Sequence, residues 1–191
     1  MSIYLSLAKI SPELLATVRA NPDLLEHIFF GLGNEEAARA AQPAGFDRDR
    51  DVIGIDNFEE VIDQAAGSYQ QFRRLDTWLA KAAQGTGEVL DCGFRYWGAF
   101  LLDPATVAQI AGGLPTAITA ARAAAARRPD QVVERDQQRA DDARYYGDRE
   151  DDDLDDLDDE FGEGYDENLD DLNAFYKRAA REGKAVIGGA H

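Results

Sequence analysis

Apolar positions along the chain alternate between two spacings, and the switches predict where strands give way to helices. Ile3-Tyr-Leu-Ser-Leu-Ala8 is a short, nearly continuous apolar run stopped by Ser11-Pro12, which predicts a buried first strand. Ser11 then caps a helix with Pro12 at its first position, where a missing N–H costs nothing, and Leu14, Leu15 and Val18 form its apolar face. Asn21-Pro22-Asp23 repeats the device ahead of Leu24, Leu25, Ile28 and Phe29, with Gly31 and Gly33 closing that helix. Residues 34–51 are rich in alanine, glycine and charge and end in Asp47-Arg-Asp-Arg-Asp51, which predicts an exposed, variable connection.

Asp56-Asn-Phe-Glu59 has the form of a capping box, followed at helical spacing by Phe58, Val61, Ile62 and Ala65 up to the break at Gly67-Ser68. Tyr69, Phe72, Leu75, Leu79 and Ala82 predict one further helix ending near Gly85. From Glu88 to Leu102, aromatic and β-branched residues interrupted by Gly93 and Gly98 predict one or two strands with a turn or bulge. Asp103-Pro104 opens a helix with Val107 and Ile110 inward, and an alanine-rich helix over 114–128 is ended or bent by Pro129. The last helix spans about Glu167 to Glu182. Its acidic start and its Lys177, Arg178 and Arg181 suit the helix dipole. Gly183 ends it, Ala185-Val-Ile187 is a final strand, and His191 is expected to fray. This order predicts an α+β fold: a single domain over 1–191, with a small mixed or antiparallel sheet covered by several helices.

Composition and charge narrow the function classes. A chain of 191 residues, 45% hydrophobic, can bury one core without staples. A single cysteine, Cys92, excludes an internal disulfide framework and fits a reducing, cytoplasmic setting. Two histidines and one cysteine leave little material for a zinc site, so no metal and no cofactor is expected. No basic segment precedes the first apolar run, and no window approaches 18 apolar residues, so neither a signal peptide nor a membrane span is expected. Net charge is −17, and the segment 148–171 holds 15 acidic residues and one basic residue, or −14, leaving −3 for everything else. Negative charge of this size disfavours nucleic acid and anionic membrane and points to a basic protein as partner.

Phosphate-binding glycine loops, Gly-x-Ser-x-Gly and His-Glu-x-x-His are absent from the sequence, so no catalytic residue is assigned and an enzymatic role is disfavoured. Phe94-Arg95-Tyr96-Trp97 sets a guanidinium among aromatic rings, which either binds an anion or a ring, or stacks within a strand. Asp56, Glu59, Glu60 and Asp63 share one side of a helix. With no histidine nearby they read as a capped, solvated face sooner than a metal site. The acidic segment fails the calcium-loop pattern, having no glycine at the sixth position from Asp148, Asp151, Asp153 or Asp155. Its Leu154, Leu157 and Phe161 recur at helical spacing, which favours partial docking of one stripe while the carboxylates stay wet, the alternative being a disordered, self-repelling run.

Three segments resemble the YfbM-like bacterial proteins, a family carried as domain of unknown function 1877. They are Ile3-Tyr-Leu with Ile10-Ser-Pro-Glu-Leu-Leu15, Tyr96-Trp-Gly-Ala-Phe-Leu-Leu-Asp-Pro-Ala-Thr-Val107, and Leu172-Asn-Ala-Phe-Tyr-Lys-Arg-Ala-Ala-Arg-Glu-Gly-Lys-Ala-Val-Ile187. The chain departs from the family around 55–66, where members carry an aspartate followed by lysine and tryptophan and later a histidine. Only Asp56 with Phe58 remains here. The resemblance implies a single α+β domain and brings no reaction.

Together these readings predict a non-enzymatic protein-binding module, immunity-type or regulatory. Its acidic face is carried by Asp151, Asp152, Asp153, Asp155, Asp156, Asp158, Asp159 and Glu160. The alternative is a small-molecule-binding or enzymatic domain with a pocket around Arg95, Tyr96 and Trp97, with Asp56 nearby.

Overall fold

Strand β1 (Leu5–Ile10) buries all six of its residues. Successive side chains point to opposite sides of a strand, so Leu5 and Leu7 enter one apolar cluster while Ala8 and Ile10 enter another. That double burial is why the segment reads as a continuous apolar run rather than an alternating one. A computed structural model describes residues 3–30, 45–86, 88–90, 98–126 and 163–191.

After β1 come α1 (Pro12–Ala20), α2 (Leu24–Phe30), α3 (Arg48–Asp51), β2 (Val52–Ile55), α4 (Phe58–Ala66), α5 (Tyr69–Phe72) and α6 (Trp78–Gln84). The order continues with β3 (Val89–Leu90), β4 (Ala99–Leu102), α7 (Pro104–Ala125), α8 (Glu163–Arg181) and β5 (Ala185–Ala190). The described strands form one sheet in the order β2-β1-β5-β4-β3, antiparallel at every pairing. Helices α1 and α2 pack with Ala99, Leu101, Ala185 and Ile187 on one face. Helices α4 to α8 pack with Phe100, Leu102, Val186 and Ala190 on the other. The α+β fold expected from the sequence is therefore present, as an antiparallel sheet covered on both faces.

The first and last strands are neighbours, and Tyr4 and His191 exchange both backbone hydrogen bonds, at 2.9 and 3.0 Å. His191 is thus held in the ladder and does not fray as expected. Its ring Nε2 also lies 3.1 Å from Ser6 Oγ. Two helix starts follow their sequence signals: Ser11 Oγ accepts the Leu14 N–H at 3.2 Å, and Asp103 Oδ1 accepts that of Thr106 at 2.8 Å.

Elsewhere tertiary contacts override local signals. The expected capping box at 56–59 does not form: Asn57 precedes α4 in a left-handed conformation (φ 50°) without a side-chain cap. Glu59 turns instead to the segment before β1 and accepts the Ile3 N–H at 2.7 Å. The single helix expected over 69–82 is two, because Thr77 Oγ1 caps a new start by accepting the Ala80 N–H. Conversely, the two helices expected from Asp103 onward are one 22-residue helix, α7, running through Gly112, Gly113 and Pro115. Val107, Ile110, Leu114, Ile118 and Ala121 form one buried stripe along it, and that packing outweighs the hydrogen bond Pro115 cannot donate. At Gly113 a Cβ would sit 2.2 Å from the Trp78 ring, so the glycine lets α6 approach α7. Helix α8 begins one turn earlier than expected, at Glu163, and β5 runs on to Ala190.

The connection expected to be exposed over 34–51 ends differently as well. Residues 31–44 lie outside the described part, but 48–51 form α3 and Asp51 is 1% exposed. Strand β2 follows directly and pairs with β1.

Candidate functional site

Two charged clusters stand out on this frame, one buried and one open. The buried one begins with Lys9, which shares a strand face with Leu5 and Leu7 yet carries an ammonium that is 1% exposed. Burying an unpaired charge is prohibitive, and the fold supplies two carboxylates. Lys9 Nζ lies 3.2 Å from Asp51 Oδ1 and 2.5 Å from Glu182 Oε2. Asp51 accepts further bonds from Arg50 Nε (2.9 Å), Arg50 Nη2 (2.7 Å) and the Asp47 N–H (2.9 Å). Burial alone would raise its pKa. The bonds from Arg50, the Asp47 backbone and Lys9 outweigh that and hold it down at about 2. Asp51 in turn raises the pKa of the Arg50 guanidinium. The cluster joins α3, β1 and the turn after α8. Both Asp51 oxygens are occupied within the chain, so the cluster is a clamp.

The open cluster lies where β2 hands over to α4 beside the first half of α8. Asp56 is exposed in that turn, and its Oδ1 accepts the N–H of Asn57 at 2.8 Å. Its carbonyl accepts a hydrogen bond from Asn168 Nδ2 at 2.9 Å, which ties the turn to α8. Leu169, Leu172, Phe175, Tyr176 and Ala179 turn to the core, leaving Asp166, Glu167, Asp170 and Asp171 in solvent. On the α7 side, Arg122 Nε bonds Asp166 Oδ1 at 2.7 Å and Arg122 Nη2 lies 3.1 Å from Asp170 Oδ1. These contacts raise the Arg122 pKa, the Asp166 bond most. Beneath them Tyr165 is 6% exposed and its hydroxyl has no hydrogen-bond partner. Burial and the nearby Asp166 push its pKa up to about 12.

The structure thus brings together two features the sequence left separate, Asp56 and the C-terminal end of the acidic segment. Arg95, Tyr96 and Trp97 lie outside the described residues, as do Asp151, Asp152, Asp153, Asp155, Asp156, Asp158, Asp159 and Glu160. Of the expected carboxylate stack, Glu59 is used on Ile3, and among the described residues no group of three or more His, Cys, Asp or Glu could hold a metal. No helix among them is long and apolar enough to cross a membrane. The clamp was missed from sequence. Its signal was a lysine where an apolar residue was due in Leu-Ser-Leu-Ala-Lys-Ile10.

Comparisons with known proteins agree with this architecture. The chain is similar over its whole length to a solved structure of a protein of unknown function, YfbM from Escherichia coli, at 15% identity. The match covers 100% of both chains with a TM-score of 0.50, a likeness of fold. No curated protein matches. The family model of domain of unknown function 1877 matches residues 1–188, and the chain belongs to that family.

Proposed function

We propose that this protein is a binding module without catalytic activity, of the immunity or regulatory type, whose acidic face takes a basic protein partner. The observation that supports the reading is the concentration of charge: −14 of the −17 lies in 148–171. Near the end of that segment Asp166, Glu167, Asp170 and Asp171 are exposed on α8, next to exposed Asp56. A one-signed surface of this kind steers an oppositely charged partner and selects against acidic ones more than it adds raw affinity.

The test is quantitative capture from lysate with the full chain and with a 148–163 deletion, at about 50 mM and about 200 mM salt, a range over which screening grows markedly. Basic proteins retained by the full chain, weakened by salt and lost on deletion, are the expected result. The reading fails when the deletion leaves the set of captured proteins unchanged.

A further inference from the structure

The solvent face of α8 carries, from Glu167 to Arg181, a charge pattern that is antisymmetric about Ala174. Among the described residues its exposed positions include Glu167, Asp170, Asp171, Ala174, Lys177, Arg178 and Arg181. About Ala174, Glu167 mirrors Arg181 at seven residues, Asp170 mirrors Arg178 at four, and Asp171 mirrors Lys177 at three. The 167-171-174-178-181 spacing of four, three, four and three keeps these residues on one stripe of a helix, as along a coiled-coil seam.

Two physical points set this pattern apart from an ordinary wet helix face. Solvated helices place opposite charges four residues apart, whereas here Glu167 and Asp171 are alike and Lys177 and Arg181 are alike. The helix dipole favours acids at the start and bases at the end, but its effect fades within the first and last turns. Asp170, Asp171 and Lys177 lie beyond those turns of Glu163–Arg181.

We infer that the exposed stripe of α8 docks on the same stripe of a second copy of this chain, antiparallel across a two-fold axis at Ala174. Facing residues of an antiparallel helix pair have position numbers with a constant sum. With Ala174 opposite Ala174, Glu167 meets Arg181, Asp170 meets Arg178 and Asp171 meets Lys177, each pair occurring twice by symmetry. The small side chain of Ala174 lets the two backbones come close at the crossing. Asp170 gives Oδ1 to Arg122, so Arg178 of the second copy approaches the other oxygen. The surface goes beyond the reading above, since it uses the basic half of α8 and needs no foreign partner.

The stripe is short. Fourteen residues separate Glu167 from Arg181, about 21 Å of helix. One helix face of that length buries far less than the ~800 Å² per partner of a stable complex. The dimer is therefore weak, with a dissociation constant above about 1 µM, the weak end for interfaces of standard size.

Sedimentation velocity across protein concentration at about 0.1 M salt, where long-range repulsion between the acidic copies is largely screened, reads the dimer directly. Two double variants isolate the charges: K177E/R181E reverses two of the three basic positions and E167K/D171K two of the three acidic ones, with the Asp170–Arg178 pair left intact in both. Each alone is expected to be monomeric, and an equimolar mixture is expected to form a one-to-one heterodimer. On the wild type, carbodiimide coupling of a mixture of light and 15N-labelled chains should yield a mixed-isotope Lys177–Asp171 cross-link. A wild type monomeric throughout, variants that dimerise as well as the wild type, or a mixture that stays monomeric overturns the inference. If a variant does not fold, the wild-type sedimentation and the isotope-mixed cross-link still decide it.

Discussion

Replacing Asp51 by asparagine removes the anion at the centre of the buried clamp while keeping its shape. Asp51 and Lys9 are each 1% exposed. A carboxyl that titrates near 3.8 when unfolded and at about 2 when folded contributes roughly 2 kcal/mol of stability at neutral pH. The variant also leaves the Lys9 ammonium with Glu182 as its remaining carboxylate. Breaking a buried pair from one side costs about 3–5 kcal/mol. Glu182 stays in place, so the expected loss for D51N lies nearer the lower figure, about 2–3 kcal/mol. Urea unfolding measures it: with a slope of about 2 kcal/mol per molar, the midpoint should fall by roughly 1 M. The pH dependence is a second and sharper readout. Because the folded pKa is depressed, the contribution of Asp51 is fully present above the unfolded value of 3.8 and is lost as pH falls through about 2. The gap between wild type and D51N should be constant from pH 7 to about 5 and shrink between 4 and 2. A gap under about 0.5 kcal/mol at neutral pH, or one that does not shrink on acidification, would refute the clamp.

Other outcomes follow from single contacts. Tyr176 is fully buried and donates to the Ala82 carbonyl at 2.6 Å, so Tyr176→Phe should cost about 1–3 kcal/mol in thermal unfolding, because that carbonyl loses its donor. Tyr165→Phe removes a buried hydroxyl that bonds to nothing. It should leave stability unchanged or raise it by about 1 kcal/mol, and a loss of that size would contradict the unpaired hydroxyl. Adjacent glycines of α7 should respond in opposite directions. A Cβ on Gly112 meets nothing within 4 Å, so Gly112→Ala should stabilise by about 1 kcal/mol through helix propensity. A Cβ on Gly113 would overlap the Trp78 ring, so Gly113→Ala should destabilise by about 1–3 kcal/mol. Equal shifts at the two positions in a melting experiment would show that α6 is free to move away from α7.

What was legible in the sequence was what depends on neighbours a few residues apart. Ser11-Pro12 and Asp103-Pro104 gave the right helix starts because a cap is satisfied within one turn. Strand β2 was missed because Val52-Ile-Gly-Ile55 follows the charge run 47–51 and is too short to show a period. The same charge run was read as exposed although it ends in the most deeply buried carboxylate described. The break between α5 and α6 was hidden because Tyr69, Phe72, Leu75, Leu79 and Ala82 keep helical spacing through it. At the candidate site, the exposure of the α8 carboxylates could be read from the apolar stripe on the opposite side of the helix. Its junction with Asp56 could not, since Asn168 is 112 residues away.

By itself the sequence determined the local grammar: apolar runs long enough to be strands, capped helix starts, and a charge concentrated in one segment. These are consequences of side-chain chemistry acting over a few residues. Only the tertiary structure decided which charges are neutralised and which stay in water. Lys9 meets Glu182 across 173 positions, and that meeting turns a lysine in an apolar strand into half of a clamp. The same folding leaves Glu167 and Asp171 in solvent. Whether a charge becomes structural or available depends on what the rest of the chain brings within about 4 Å of it, and no local pattern carries that information.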